Sequence, residues 1–365
     1  MPQGDRSTES GGAQRRIGWL DSLKGLGMIA VTLYHSGPPQ AVIRLITPWF
    51  LPVFYFAAGY VYKDAYSRTP FVFLKKRLRA LYVPYVLWNL LYLCLHNLFL
   101  HLDLMSDKAG YLDWVASAYT WTDYPPIVRG ILTMSGGEAM AGPLWFLTSL
   151  LTADLLFCGL GVVSTRIFRG REWVRALGVV AVFGVGYSNQ QIVSFPIYLN
   201  YSAMAMVFIY VGFLYRRAEA RIALGYLRAL LAAVMLALLV SLGGSRAFLP
   251  GSDFSDPVLL IVTALAGIFV CLVLAKKLGR NRFVQYVGRN SLFLIATQFL
   301  AFKLVSLVQI EVYGYPHYML GAFPVVSGSD MWWAAYLACA VLVPVGVKLS
   351  IDFASRSVRS WVVSR

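Results

Sequence analysis

Hydrophobic residues in this sequence gather into long runs, separated by short segments rich in polar and charged residues. About ten runs approach the roughly 20 residues that an α-helix needs to cross a lipid bilayer. They cover residues 19–36, 45–62, 80–100, 143–163, 174–190, 196–215, 224–243, 257–275, 290–310 and 331–350. The pattern predicts an all-α, polytopic integral membrane protein, a bundle of about ten transmembrane helices.

The composition supports that fold class. Hydrophobic residues make up 58% of the 365 residues and charged residues 13%, whereas soluble domains average about 45–50% and about 25%. The four cysteines lie within apolar runs without CxxC spacing, as small buried hydrophobes do. No pair of histidines has metal-ligand spacing, so we expect no metal site and no permanently bound cofactor.

The net charge of +15 is distributed unevenly along the chain. Most of the 32 Lys and Arg residues lie in the two tails and in every second loop. The alternate loops carry Arg44, Lys108, Arg129 and Arg246. Because basic residues favour the cytoplasmic side, both termini are predicted to be cytoplasmic, and the charge does not indicate a nucleic-acid partner. We divide the chain into a polar cytoplasmic tail, residues 1–16, and one transmembrane domain, residues 17–365.

The first apolar run carries three groups that a lipid-facing helix avoids: Asp21, Lys24 and His35. Each helical residue turns the chain by about 100°, so His35 returns to nearly the side of Lys24, about 16 Å further along the axis. Asp21 joins this stripe as an i, i+3 partner of Lys24. Such a stripe faces a cavity or other helices, because exposure to hydrocarbon costs several kcal/mol. Alternatively, Asp21 and Lys24 lie at the membrane interface and His35 is a satisfied helix-end residue.

Two early segments combine candidate chemistry with a structural alternative. FLPVFYFAAGYVYK contains Gly59 and Tyr60, and a glycine there also allows close helix packing. FLKKRLRALYVPYVLW contains Arg77 and Arg79. These arginines either mark the cytoplasmic side or bind phosphate groups, to which Arg donates bidentate hydrogen bonds.

Two later segments begin apolar runs. GPLWFLTSLL contains Trp145, which is either an interfacial anchor or part of a cavity wall, and VGRNSLFLIATQFL contains Asn290. Asp154 and Lys303 are the charged residues predicted to lie nearest to mid-membrane. We expect them to form an ion pair that joins two helices, since intramembrane charges almost always pair or face water.

Together these motifs resemble the membrane acyltransferase-3 family. The interval from Lys24 to His35 is similar to the family's opening helix, in which ten residues separate a basic residue from a histidine. The other four segments follow in the family's order, and the basic segment resembles the fucose 4-O-acetylase-like branch of the polysaccharide O-acyltransferases. Ala58 is a departure, because the family commonly has serine before the glycine.

The resemblance implies an O-acyltransferase that moves an acyl group, most simply acetyl from acetyl-CoA as co-substrate, to a sugar hydroxyl of a surface or exocellular glycan. His35 would act as the general base, since histidine titrates near neutral pH. Lys24 would stabilise developing negative charge or be held by Asp21. Arg77 and Arg79 would bind the phosphates of the donor. Substrate contacts are implied for Tyr60, Trp145 and Asn290.

The implied setting is the bacterial inner membrane. The implied partners are a glycan or lipid-linked oligosaccharide acceptor, the acyl-CoA donor, membrane lipids and polysaccharide assembly proteins. Two alternatives remain, namely a lipid-linked glycan flippase or other transporter, and a non-catalytic partner in polysaccharide assembly. Transporters often show internal repeats, and this sequence has no apparent one.

Overall fold

The computed structural model describes residues 17–110, 115–188, 198–222, 224–243, 247–249 and 254–363. Every regular element in these ranges is a helix, which confirms the all-α class. The predicted tail, residues 1–16, and Arg246 lie outside the described residues.

The α-helices are α1 Gly18–His35, α2 Gln40–Ile46, α3 Pro52–Val61, α4 Ala65–Arg68, α5 Pro70–Arg77, α6 Val83–His101, α7 Tyr124–Leu132, α8 Trp145–Ile167, α9 Glu172–Ser188, α10 Leu199–Ala218, α11 Tyr226–Gly243, α12 Pro257–Lys277, α13 Arg282–Arg289, α14 Ser291–Tyr313 and α15 Trp332–Val363. A π-helical segment, Leu78–Tyr82, joins α5 to α6. Short 3₁₀ helices are Ala139–Leu144, Glu219–Arg221 and His317–Gly321.

Each predicted apolar run falls on a helix, although the second run does not form a single one. It is interrupted at residues 47–51, and α3 begins at Pro52, whose fixed φ suits a first helical turn. Among the described residues, five helical stretches are long and apolar enough to cross a membrane. They are Pro70–His101, Ala139–Ile167, Pro257–Lys277, Ser291–Tyr313 and Trp332–Ser357. With ten residues α3 is too short for this, and most of its side chains are buried among other helices.

The backbones of α3 and α10 touch at two glycines. A Cβ atom on Gly59 would lie 1.8 Å from the carbonyl oxygen of Ile209, and one on Gly212 would lie 2.0 Å from that of Phe56. Only residues without a side chain fit these two positions, so the packing interpretation of Gly59 is confirmed.

A network of ion pairs ties helix ends together at one end of the bundle. Arg175 and Arg217 each contact both Asp64 and Glu172, with N–O distances between 2.7 and 3.3 Å. Burial would raise the pKa of the Asp64 carboxyl, but the hydrogen bond and charge of Arg217, with the charge of Arg175, lower that pKa below its usual value. The network joins the segment after α3, the start of α9 and the end of α10, which the charge pattern predicts on one side of the membrane.

The long connection after α6 folds back onto that helix. His96 is fully buried, and its Nδ1 lies 2.9 Å from a carboxylate oxygen of Glu138. Its Nε2 lies 2.9 Å from the carbonyl oxygen of Ser117, and its ring stacks on Tyr119. These contacts fix the chain that leads into α8, and therefore one wall of the cavity described below.

The predicted ion pair between Asp154 and Lys303 is wrong. Asp154 pairs with Arg77, and the Lys303 ammonium donates hydrogen bonds to the carbonyl oxygens of Leu320 and Ala322 at 2.7 and 2.8 Å. Hydropathy indicates how deep each residue lies along its own helix. It does not indicate which helices face each other, and that decides the partners.

Candidate functional site

A cavity of about 240 Å³ lies between α1, α3, α8 and α14, with the junction of α5 and the π-helical segment closing one side. Its walls are mainly apolar, and the two cationic side chains in them are Lys24 and Arg77. The lining residues are Leu20, Lys24, Met28, Val31, Leu51, Phe54, Ala57, Ala58, Val61, Arg77, Leu81, Phe146, Leu147, Leu150, Ser291, Leu292 and Ile295.

Lys24 enters the cavity from α1. Its Nζ lies 2.8 Å from the Asp21 carboxylate, one turn earlier, and Arg289 of α13 lies 3.9 Å from the other oxygen of Asp21. The helices approach closely here, since a Cβ on Gly288 would lie 1.8 Å from the Asp21 carbonyl oxygen. Asp21 therefore holds Lys24 against the wall, and about a third of the lysine side chain remains exposed.

Arg77 enters the cavity at the end of α5. Its Nη2 lies 2.5 Å from Oδ2 of Asp154, whose side chain is only 1% exposed. Within the described structure, Nε of Arg77 has no hydrogen-bond partner. The guanidinium is thus fixed on one side by a buried carboxylate, while the Arg77 side chain also forms part of the cavity wall.

The two cations lie toward one end of the cavity and His35 lies beyond the other. Lys24 and Ser291 both line the cavity, and further along the same two helices the rings of His35 and Phe299 lie 5.1 Å apart. Helices α1 and α14 therefore run side by side in the same direction. Val31 is the last α1 residue in the lining, and His35 is one turn, about 6 Å, further along.

His35 is partly buried at the end of α1. Its ring packs edge-on against Tyr34 and Phe299, at 5.0 and 5.1 Å between ring centres. In the part of the chain that the structure describes, its ring nitrogens form no hydrogen bond with another residue. An imidazole without such a hydrogen bond keeps its acceptor nitrogen available to a bound molecule, as the predicted role requires.

Four other predicted residues do not line the cavity. Arg79 is exposed, because residues two apart point to different sides of a helix. Tyr60 donates a hydrogen bond of 2.5 Å to Glu219. Trp145 packs against two tyrosines of the α10 region, and the amide nitrogen of Asn290 donates to a backbone carbonyl of α13. The cavity is instead lined by their neighbours Ala58, Val61, Phe146, Leu147 and Ser291.

Asp154 was not among the residues predicted for this site. Leu147 and Leu150 line the cavity, and Asp154 follows them by seven and four residues, which keeps it near the same side of α8. That spacing was a usable signal once the lining face of α8 was known. No cluster of three or more His, Cys, Asp or Glu residues suited to a metal occurs among the described residues.

Residues 17–350 match the family model described as an acyltransferase domain, that of the acyltransferase-3 proteins. A search of curated proteins and a search of solved structures give no match. The family match covers most of the chain, including every residue that lines the cavity.

Proposed function

Because the chain belongs to the membrane acyltransferase-3 family and is a membrane acyltransferase, we propose that it transfers an acyl group from acyl-CoA to a sugar hydroxyl. Acetyl is the proposed group, and the proposed acceptor is a surface or exocellular glycan or its lipid-linked precursor. The fucose 4-O-acetylase-like proteins are the branch that its basic segment resembles most.

The observation that carries this proposal is the cavity that runs from Lys24 and Arg77 toward His35. Two cations at one end suit the phosphate groups of coenzyme A, to which Arg and Lys donate charge-assisted hydrogen bonds. The apolar walls between suit a slender, largely uncharged arm that ends in a thioester. From Lys24 to Val31 the cavity extends roughly 10 Å along α1, so a thioester at the Val31 end approaches His35.

His35 is the proposed general base. A neutral imidazole takes the proton of the acceptor hydroxyl as its oxygen attacks the thioester carbonyl carbon. The C–S bond then breaks, and the imidazolium returns the proton to the leaving thiolate. The products are an ester and free coenzyme A. No hydrogen bond from another described residue competes for the ring nitrogens of His35, which supports this role.

Asp21 is the proposed partner that keeps Lys24 in place for the donor. Lys24 and His35 are eleven residues apart on one helix. This spacing allows the phosphate groups of the donor to bind near Lys24 while its thioester reacts near His35. Among the other residues implied by the family resemblance, Arg77 is favoured over Arg79 as a donor contact, since only Arg77 lines the cavity. Tyr60, Trp145 and Asn290 are proposed to support the cavity walls from behind.

The proposed location is the bacterial inner membrane with both termini in the cytoplasm. Most of the basic residues precede or follow apolar runs on the predicted inner side, which supports this orientation. The cation end of the cavity then opens toward the compartment that contains acyl-CoA. His35 lies toward the outer side, where an exported glycan is accessible.

The experiment is thiol release by detergent-purified protein incubated with acetyl-CoA and a panel of glycan acceptors. We expect free thiol to appear in equal amount to acylated glycan, and to depend on the acceptor. Longer acyl-CoA donors, tested in parallel, identify the acyl group. A folded protein that binds acyl-CoA but releases no thiol with any acceptor would contradict the enzyme and favour a transport or assembly role.

A further inference from the structure

Acyl transfer to a hydroxyl needs more than a base. As the acceptor oxygen bonds to the carbonyl carbon, negative charge develops on the carbonyl oxygen, and a hydrogen-bond donor nearby lowers the barrier. Lys24 is about 16 Å from His35 along α1, too far to contact a carbonyl whose attacking oxygen touches His35. Lys303 already donates to two backbone carbonyls.

Gln298 lies one turn beyond Ile295, the last residue of α14 in the cavity lining. Ser291 and Ile295 of α14 line the cavity, and Gln298 follows Ser291 by seven residues, which returns it to within about 20° of the same side. The next residue, Phe299, contacts His35. Gln298 therefore continues the cavity-facing side of α14 at the level of His35.

The amide of Gln298 is also unusual in its surroundings. The residue is fully buried, yet neither Nε2 nor Oε1 has a hydrogen-bond partner among the described residues. Buried amides are almost always paired, because leaving one without a partner is destabilising. The lack of a hydrogen-bond partner for the Gln298 amide is explained if a bound substrate supplies that partner.

We propose that the Nε2 group of Gln298 donates a hydrogen bond to the thioester carbonyl oxygen and stabilises the oxyanion that forms when the acceptor attacks. The inference rests on the proposed function. His35 takes the hydroxyl proton, Gln298 holds the oxyanion, and collapse of the tetrahedral intermediate expels the thiolate, which recovers the proton from His35. The amide itself exchanges no proton.

The test compares Gln298→Leu with Gln309→Leu. Gln309 lies on the same helix and is equally buried, but its Nε2 donates to Ser327 and its Oε1 accepts from Tyr336. For Gln298→Leu we expect kcat to fall about 10²- to 10³-fold, as when an oxyanion donor is removed, with KM for both substrates changed less than about threefold and thermal stability kept. For Gln309→Leu we expect lower stability and nearly unchanged kcat per folded molecule.

A second variant, Gln298→Met, keeps the unbranched shape and has no hydrogen-bond donor, so it should lose at least as much kcat even if the leucine variant folds poorly. If either folded variant keeps kcat within about threefold of wild type, the inference is overturned. The amide of Gln298 then has a structural role or binds water. A rise in acceptor KM at unchanged kcat also overturns it, because Gln298 would then bind the acceptor. If the wild-type protein itself releases no thiol, the proposed function fails, and this inference fails with it.

Discussion

Nη2 of Arg77 lies 2.5 Å from Oδ2 of Asp154, and this pair forms part of the boundary between the cavity and the interior of the bundle. The carboxylate is almost fully buried, and Arg77 is its ion-pair partner among the described residues. One end of the guanidinium is therefore fixed from behind, and the other faces the space in which we place the donor. The same cation serves the fold and the site.

Asp154→Asn should destabilise the protein by about 3–5 kcal/mol, because removal of one partner leaves a charge without its buried counterion. Asp21→Asn is the matched control. It breaks the pair with Lys24, whose side chain is 30% exposed, and should cost about 1 kcal/mol or less. Thermal unfolding of both variants in detergent measures the difference. Equal losses would show that Asp154 is not distinguished by its burial.

Arg77→Gln should weaken acyl-CoA binding about 10- to 100-fold, since a hydrogen bond to a charged group contributes about 1.5–3 kcal/mol. Arg79→Gln removes the same charge two residues away on the exposed side and should leave the affinity within about twofold. Titration calorimetry with acyl-CoA on folded protein makes the comparison. Arg77→Lys, which keeps the charge but not the planar fork, should fall between the two. If Arg77→Gln and Arg79→Gln weaken acyl-CoA binding equally, both arginines act only through their positive charge and not through a specific contact.

Much of the fold could be predicted from the sequence. Helix periods and the lengths of the apolar runs locate the helices, because every backbone group in a bilayer must bond within its own segment. The interruption before Pro52 was the main departure, and there the chain forms two short helices instead of one long one. The prolines of this segment are the sequence signal for the interruption, but hydropathy averaged along the apolar run does not detect them.

The candidate site was predictable only where its residues share one helix. Lys24 and His35 lie on α1, so helix geometry alone indicated a common side, and the structure places that side against α14. Asp154 with Arg77, and Phe299 with His35, meet across different helices. Their proximity depends on the packing of helices that are far apart in the chain, about which neither hydropathy nor spacing is informative.

The proposed topology predicts on which side of the membrane an inserted epitope tag is accessible. A tag at Lys75 should be protected from antibody in intact spheroplasts, and a tag at Asp107 should be accessible, because basic loops remain on the cytoplasmic side. Asp107 is exposed outside the regular helices, where insertions are best tolerated, and Lys75 is exposed in the last turn of α5. Permeabilised cells, in which both tags should react, are the control. Accessibility of the Lys75 tag in intact spheroplasts would reverse the assigned donor and acceptor sides.

The proposed role of His35 gives the most direct prediction about the chemistry. His35→Ala should lower acyl transfer by about 10²–10⁴-fold, the usual effect of removing a general base, and His35→Gln should be nearly as inactive because an amide accepts no proton. Stability should change little, since the ring is only partly buried and forms no hydrogen bond with another described residue.

The matched control is His317→Ala, because His317 is an exposed histidine whose partner is Asp103. This variant should keep its rate within about threefold, since surface substitutions of this kind have small effects. Acyl transfer per milligram of folded, purified protein is the measurement, with abundance and thermal stability recorded for each variant. If His35→Ala retains more than about a tenth of wild-type turnover, its loss of turnover is smaller than the loss expected for a missing base. The general base would then have to be sought elsewhere along the cavity.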